Sequence, residues 1–97
     1  MNRDQVLKEL RRHRHDIEQR FAVKRLSVFG STARDALRDD SDIDVLVEFK
    51  GKATFDGYMD LKGYLETLLG RPVDLVTHDA VKPRMRPMID QEAIHVT

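Results

Sequence analysis

The residues with the clearest chemistry lie in Leu26-Ser-Val-Phe-Gly-Ser-Thr-Ala-Arg-Asp-Ala-Leu-Arg-Asp-Asp-Ser-Asp-Ile-Asp-Val-Leu-Val47. A short apolar run, Leu26 to Phe29, breaks at Gly30-Ser31. After ten intervening residues, Thr32 to Ser41, come Asp42-Ile43-Asp44, and then a second apolar run, Val45 to Val47. Side chains alternate along a strand, so Asp42 and Asp44 share a face, roughly 7 Å apart. Carboxylates this close repel one another unless a cation lies between them. Hard oxygen ligands suit Mg²⁺, which is usually held by one or two carboxylates together with substrate phosphates. A Gly-Ser turn that opens a helix offers backbone N–H groups and a hydroxyl to an anion. The stretch therefore holds both halves of a metal–nucleotide site.

Positioning these groups takes a strand, a turn, a short helix and a second strand. The first strand is expected at Leu26–Phe29, the short helix at Thr32–Leu37 and the second strand at Ile43–Phe49. The second strand carries Ile43, Val45, Val47 and Phe49 on one face and Asp44, Leu46 and Glu48 on the other. That pattern predicts a central strand with helices on both sides of the sheet. Upstream, Val6, Leu7, Leu10, Ile17 and Phe21 recur at helical spacing, predicting one amphipathic helix over 3–21 capped by Asn2. Downstream, 55–69 reads as a second long helix stopped by Gly70. Val73–Thr77 reads as a third strand, and Lys82 to Glu92 as a last helix with Pro87 near its first turn. Ala93–Val96 reads as a brief edge strand. The helix between the first two strands is too short for a parallel crossover, so those strands should run antiparallel. The third follows a long helix and should lie parallel to the second, which sets Asp74 beside Asp44.

The pattern Gly30-Ser31, ten residues, Asp42-Ile43-Asp44 resembles the nucleotidyltransferases of the DNA polymerase beta superfamily. It is most similar to the minimal nucleotidyltransferases, which show Gly-Ser-x-Ala-Arg and Ser-Asp-Ile-Asp. Where that family usually has Gly after the Arg, this chain has Asp35. Val73-Asp-Leu-Val76 matches the third motif of the family. The resemblance implies an α/β (α+β) fold, a small mixed sheet flanked by helices, forming one domain over 1–97. It implies catalytic and metal-binding roles for Asp42, Asp44 and Asp74, with two Mg²⁺ ions. It also implies nucleotide binding by Gly30, Ser31 and Arg34, with ATP as substrate. For Asp74 the other reading is a surface carboxylate paired with Arg71. For Arg34 it is an ion pair with a nearby acid. Lys82, Arg84 and Arg86, at the start of the last helix, read as surface charge, the other reading being an approach to the nucleotide.

Composition narrows the setting. Among 97 residues, 17 Lys and Arg balance 17 Asp and Glu, so no global charge argues for nucleic acid or an anionic membrane. There is no cysteine, which suits the cytosol. No apolar run reaches membrane-spanning length, and the polar start is not a signal peptide. Arg11-Arg12-His13-Arg14-His15 forms a basic stretch, read either as a docking face for RNA or an acidic partner or as a solvated helix face. The small stand-alone members of the family resemble antitoxins paired with HEPN-domain ribonuclease toxins. By that resemblance the chain transfers AMP from ATP to a tyrosine hydroxyl of such a toxin. The alternatives are a toxin-binding module without catalysis, and a nucleotidyltransferase for a small molecule or RNA completed by a separate subunit.

Overall fold

The computed structural model describes residues 1–97. Helix α1, Arg3–Arg12, begins with a reciprocal cap. The Asn2 side chain accepts the Gln5 N–H and the Gln5 side chain accepts the Asn2 N–H, each at 2.9 Å. The single helix expected over 3–21 is in fact two, because α2 spans Arg14–Phe21. The break is at His13, whose N–H turns to the Leu10 carbonyl. Its imidazole Nδ1 lies 3.0 Å from the Glu9 carbonyl, the acceptor that a continuous helix would have used. The break leaves Leu10 and Ile17 both fully buried.

Strand β1, Val23–Val28, starts three residues earlier than the apolar run indicates. Lys24 and Arg25 are exposed and the ladder is irregular between Val23 and Arg25, so the alternation is broken there. Strand β2, Ile43–Phe49, helix α4, Phe55–Leu69, and strand β3, Val73–Thr77, fall on the expected residues. Thr54 caps α4 by accepting the Gly57 N–H, and Gly70 ends it in the left-handed region at φ 66°. The expected last helix is divided into a tight 3₁₀ turn at Pro83–Met85 and helix α5 at Arg86–Glu92. Pro87 lacks an N–H and its ring would strike the residue-83 carbonyl, so it is tolerated only in a first turn. Strand β4, Ile94–His95, follows.

The sheet order is β3-β2-β1-β4, with β1 antiparallel to both neighbours and β2 parallel to β3. This is the mixed sheet expected from the connection lengths. Its two faces are covered unequally. Val28, Val45, Val47 and Leu75 join Leu10, Ile17, Leu61 and Leu65 in one core. Each such buried side chain contributes about 1.5–3 kcal/mol, so α1, α2 and α4 on this face hold the fold together. On the other face Ser27, Leu46 and Glu48 share a cavity with His78, Asp90 and His95. That face is covered by α5 and the segments flanking it, not by a second helical layer: Ser27 and Leu46 are buried there, while Asp44 and Glu48 stay partly exposed.

Candidate active site

At the end of β1 the chain turns through Gly30 at φ 58° into a single helical turn, α3, Gly30–Ala33. This is shorter than the expected Thr32–Leu37. Asp35 sits at φ 57°, in the left-handed region that halts a helix. Aspartate tolerates that region better than most residues. Its carboxylate accepts the Arg3 N–H at 2.9 Å, so the residue at the usual glycine position ties the turn to the start of α1.

Glycine at position 30 is needed for a second reason. A Cβ there would lie 2.8 Å from the Asp44 Oδ2, so the turn could not pack against that carboxylate. Ser31 Oγ donates to the same oxygen at 3.0 Å. Thr32, fully buried, accepts the Asp44 N–H on its Oγ1 at 2.9 Å. Turn and strand are thus joined through both side chain and backbone of Asp44. Asp74 is the register partner of Asp44 on β3 and is exposed. Arg71, its alternative partner, instead donates to the carbonyls of Arg38 and Ser41 and so holds the loop that delivers Asp42.

Burial raises the Asp44 pKa, and the nearby Asp74 charge adds to the rise. The Ser31 hydroxyl and the N–H groups of Thr32 and Ser31 oppose it by stabilising the carboxylate. Asp42, one residue before β2, is exposed. No three acidic or histidine side chains come together in a group that could hold a metal ion, so Asp42, Asp44 and Asp74, expected to share one, do not converge as a set of three. The donor set nevertheless suits a hard cation. Asp44 and Asp74 offer carboxylate oxygens side by side, and a positive charge would relieve the burial and repulsion that Asp44 bears.

Arg34 is paired with Glu92, its Nη1 lying 2.9 Å from Oε2, and the Gly30 N–H donates to Glu92 Oε1 at 2.8 Å. Neither Glu92 nor Thr32 stood out in the sequence. Thr32 lies inside the turn and signals itself only as a hydroxyl next to Ser31. Glu92 is one acid among many, 62 residues from Gly30. Among the other basic residues, Arg86 donates to the carbonyls of Val81 and Asp79, and Arg11 to the carbonyl of His95. Both therefore brace the fold.

Comparison with known proteins places this geometry. The family model for the nucleotidyltransferase domain matches residues 10–96. The protein adenylyltransferase MntA of Thermococcus cleftensis is 36% identical over 84 residues, 87% of this chain and 85% of that protein. A solved structure of a minimal nucleotidyltransferase is 38% identical with a TM-score of 0.84, covering 97% of this chain and 95% of that one. A chain in the complex of tri-AMPylated Shewanella oneidensis HEPN toxin with MNT antitoxin shares the fold at 15% identity. Its TM-score is 0.67, and the match covers 94% of this chain and 71% of that one.

Proposed function

The chain belongs to the nucleotidyltransferase domain family, as a protein adenylyltransferase, and on that premise we propose that it transfers AMP from ATP to a tyrosine hydroxyl of a HEPN ribonuclease toxin and so silences it. The observation that carries the reading is the junction of the Gly30-Ser31 turn with Asp44, beside Asp74, at one end of the sheet. A nucleotidyl transfer needs phosphate donors and carboxylates within one small volume, and this junction supplies both. The likeness to the antitoxin of a modified toxin supports the choice of acceptor.

In this reading Asp42, Asp44 and Asp74 would hold Mg²⁺, which would neutralise triphosphate charge and make an acceptor hydroxyl more acidic. The Ser31 hydroxyl receives the β- and γ-phosphates, with the Arg34 guanidinium as their counter-charge. Ser31 must then redirect its hydroxyl hydrogen from Asp44 to a phosphate oxygen. The tyrosine oxygen bonds to the α-phosphorus, the bond from that phosphorus to the bridging oxygen breaks, and pyrophosphate leaves. In this reading the tyrosine proton passes to Asp74, whose exposure beside Asp44 supports the role.

The test is incubation of the cognate HEPN toxin with the chain, ATP and Mg²⁺, read by intact mass. The toxin should gain one or more adenylyl units. Asp42→Asn with Asp44→Asn should abolish the gain and restore toxicity in cells. Full neutralisation by that double variant would show that contact alone suffices.

A further inference from the structure

The Glu92 carboxylate bridges the backbone of the Gly30-Ser31 turn and the Arg34 guanidinium, the two features that the proposed function sets against phosphate. One oxygen accepts the Gly30 N–H at 2.8 Å and the other meets the Arg34 guanidinium at 2.9 Å. The geometry assigns Glu92 a positioning role: it holds the Gly30 turn and the Arg34 side chain in the arrangement that receives the triphosphate. This inference rests on the nucleotidyl-transfer reading and names a residue that acts on substrate only through others.

Donor accounting supports a brace. Arginine has five N–H donors, and Arg34 commits only Nη1 to Glu92. Its side chain is 60% exposed against 27% for Glu92, so the remaining donors face solvent while the carboxylate is set further in. The Gly30 N–H has Glu92 as its partner. Without it that donor is orphaned and the turn loses a fixed point. The brace itself is anchored. Immediately after Glu92 the chain enters β4, and then the Val96 N–H donates to the Leu26 carbonyl while Thr97 Oγ1 accepts the Leu26 N–H. The carboxylate thus ties the turn at the end of β1 to a segment locked onto β1 itself.

A carboxylate at this place could instead compete with phosphate, and the two roles differ in sign. Calorimetry with Mg²⁺ and a non-hydrolysable ATP analogue, with adenosine as the control, separates them. Glu92→Ala should weaken the triphosphate analogue about ten- to a hundredfold and leave adenosine unchanged. Glu92→Gln keeps one acceptor oxygen for the Gly30 N–H and should recover part of the loss; it also serves if the alanine variant does not fold. Adding Glu92→Ala to Arg34→Ala should cost much less than the two changes summed, because one acts through the other. Unchanged or tighter triphosphate binding in both Glu92 variants would overturn the positioning role while leaving the proposed function standing. Failure of the wild-type chain to bind the analogue would overturn both.

Discussion

Asp44 and Asp74 are register partners across the parallel β2–β3 ladder, one half-buried against the Gly-Ser turn and the other exposed. Adjacent strands lie about 4.8 Å apart, so the Asp74 charge makes ionising Asp44 more costly.

The first prediction concerns acidity. Burial, reinforced by Asp74, raises the Asp44 pKa above that of a free aspartate. Between the unfolded and folded values the folded chain binds more protons than the unfolded one. Stability from this group is therefore present at low pH and lost as pH rises through the folded pKa. Urea unfolding of wild type and Asp44→Asn across the acid range should show wild type losing ground to the variant as pH rises. A difference that stays flat would remove the perturbed carboxylate.

Ser31→Ala should weaken ATP binding by about 1.5–3 kcal/mol while affecting AMP less, since the hydroxyl is assigned to the outer phosphates. The same change deletes the hydrogen bond that holds the Asp44 pKa down. The acid limb of the transfer rate should therefore move to higher pH. Equal losses for ATP and AMP, with an unmoved profile, would reduce Ser31 to shaping the turn.

Thr32→Val is nearly isosteric and leaves the Asp44 N–H without the acceptor that Thr32 Oγ1 supplies. An unpaired buried donor costs about 1–3 kcal/mol, so the unfolding free energy from urea titration should fall by that amount. Transfer by the folded fraction should also fall, because the same bond sets where Asp44 begins. Wild-type stability would show that water replaces the hydroxyl.

Gly30→Ala combines two penalties. An L-residue at this positive φ costs roughly 1–2 kcal/mol. The new methyl also meets the Asp44 carboxylate at 2.8 Å. The expected variant keeps its circular dichroism spectrum, melts lower and loses Mg²⁺-dependent nucleotide affinity. Intact affinity would mean that the carboxylate relaxes freely away from the turn.

Most of the sheet could be read from residue order because β2 and β3 are apolar runs interrupted only near their ends, by Asp44, Glu48 and Asp74, and bounded by turn residues, and α4 has Thr54 before it and Gly70 after it. The antiparallel β1–β2 pairing followed from one length, the segment between Ser31 and Asp42. Local competition was harder to read. His13 breaks a helix through one side-chain contact with a carbonyl, which periodicity does not register. The beginning of β1 carries exposed Lys24 and Arg25 and therefore lacks an apolar signature. At the site, Asp42, Asp44, Ser31 and Gly30 announce themselves by spacing along the chain. Glu92 does not, because its partnership with Gly30 is purely tertiary.

The distant origin of that brace bears on when the site comes into being. Gly30 and Glu92 are separated by 62 positions, Leu26 and Thr97 by 71, and Arg11 and His95 by 84. Contacts of such range form late, because the intervening chain must be ordered or looped before they reward it. Residues 92–97 are also synthesised after everything that they clamp. A nascent chain can pair β1 with β2 while its turn is still loose, so we expect activation to trail folding of the sheet. Pulsed hydrogen exchange during refolding should protect the Gly30 amide after the Leu46 and Val47 amides. Simultaneous protection would mean that sheet and brace form as one unit.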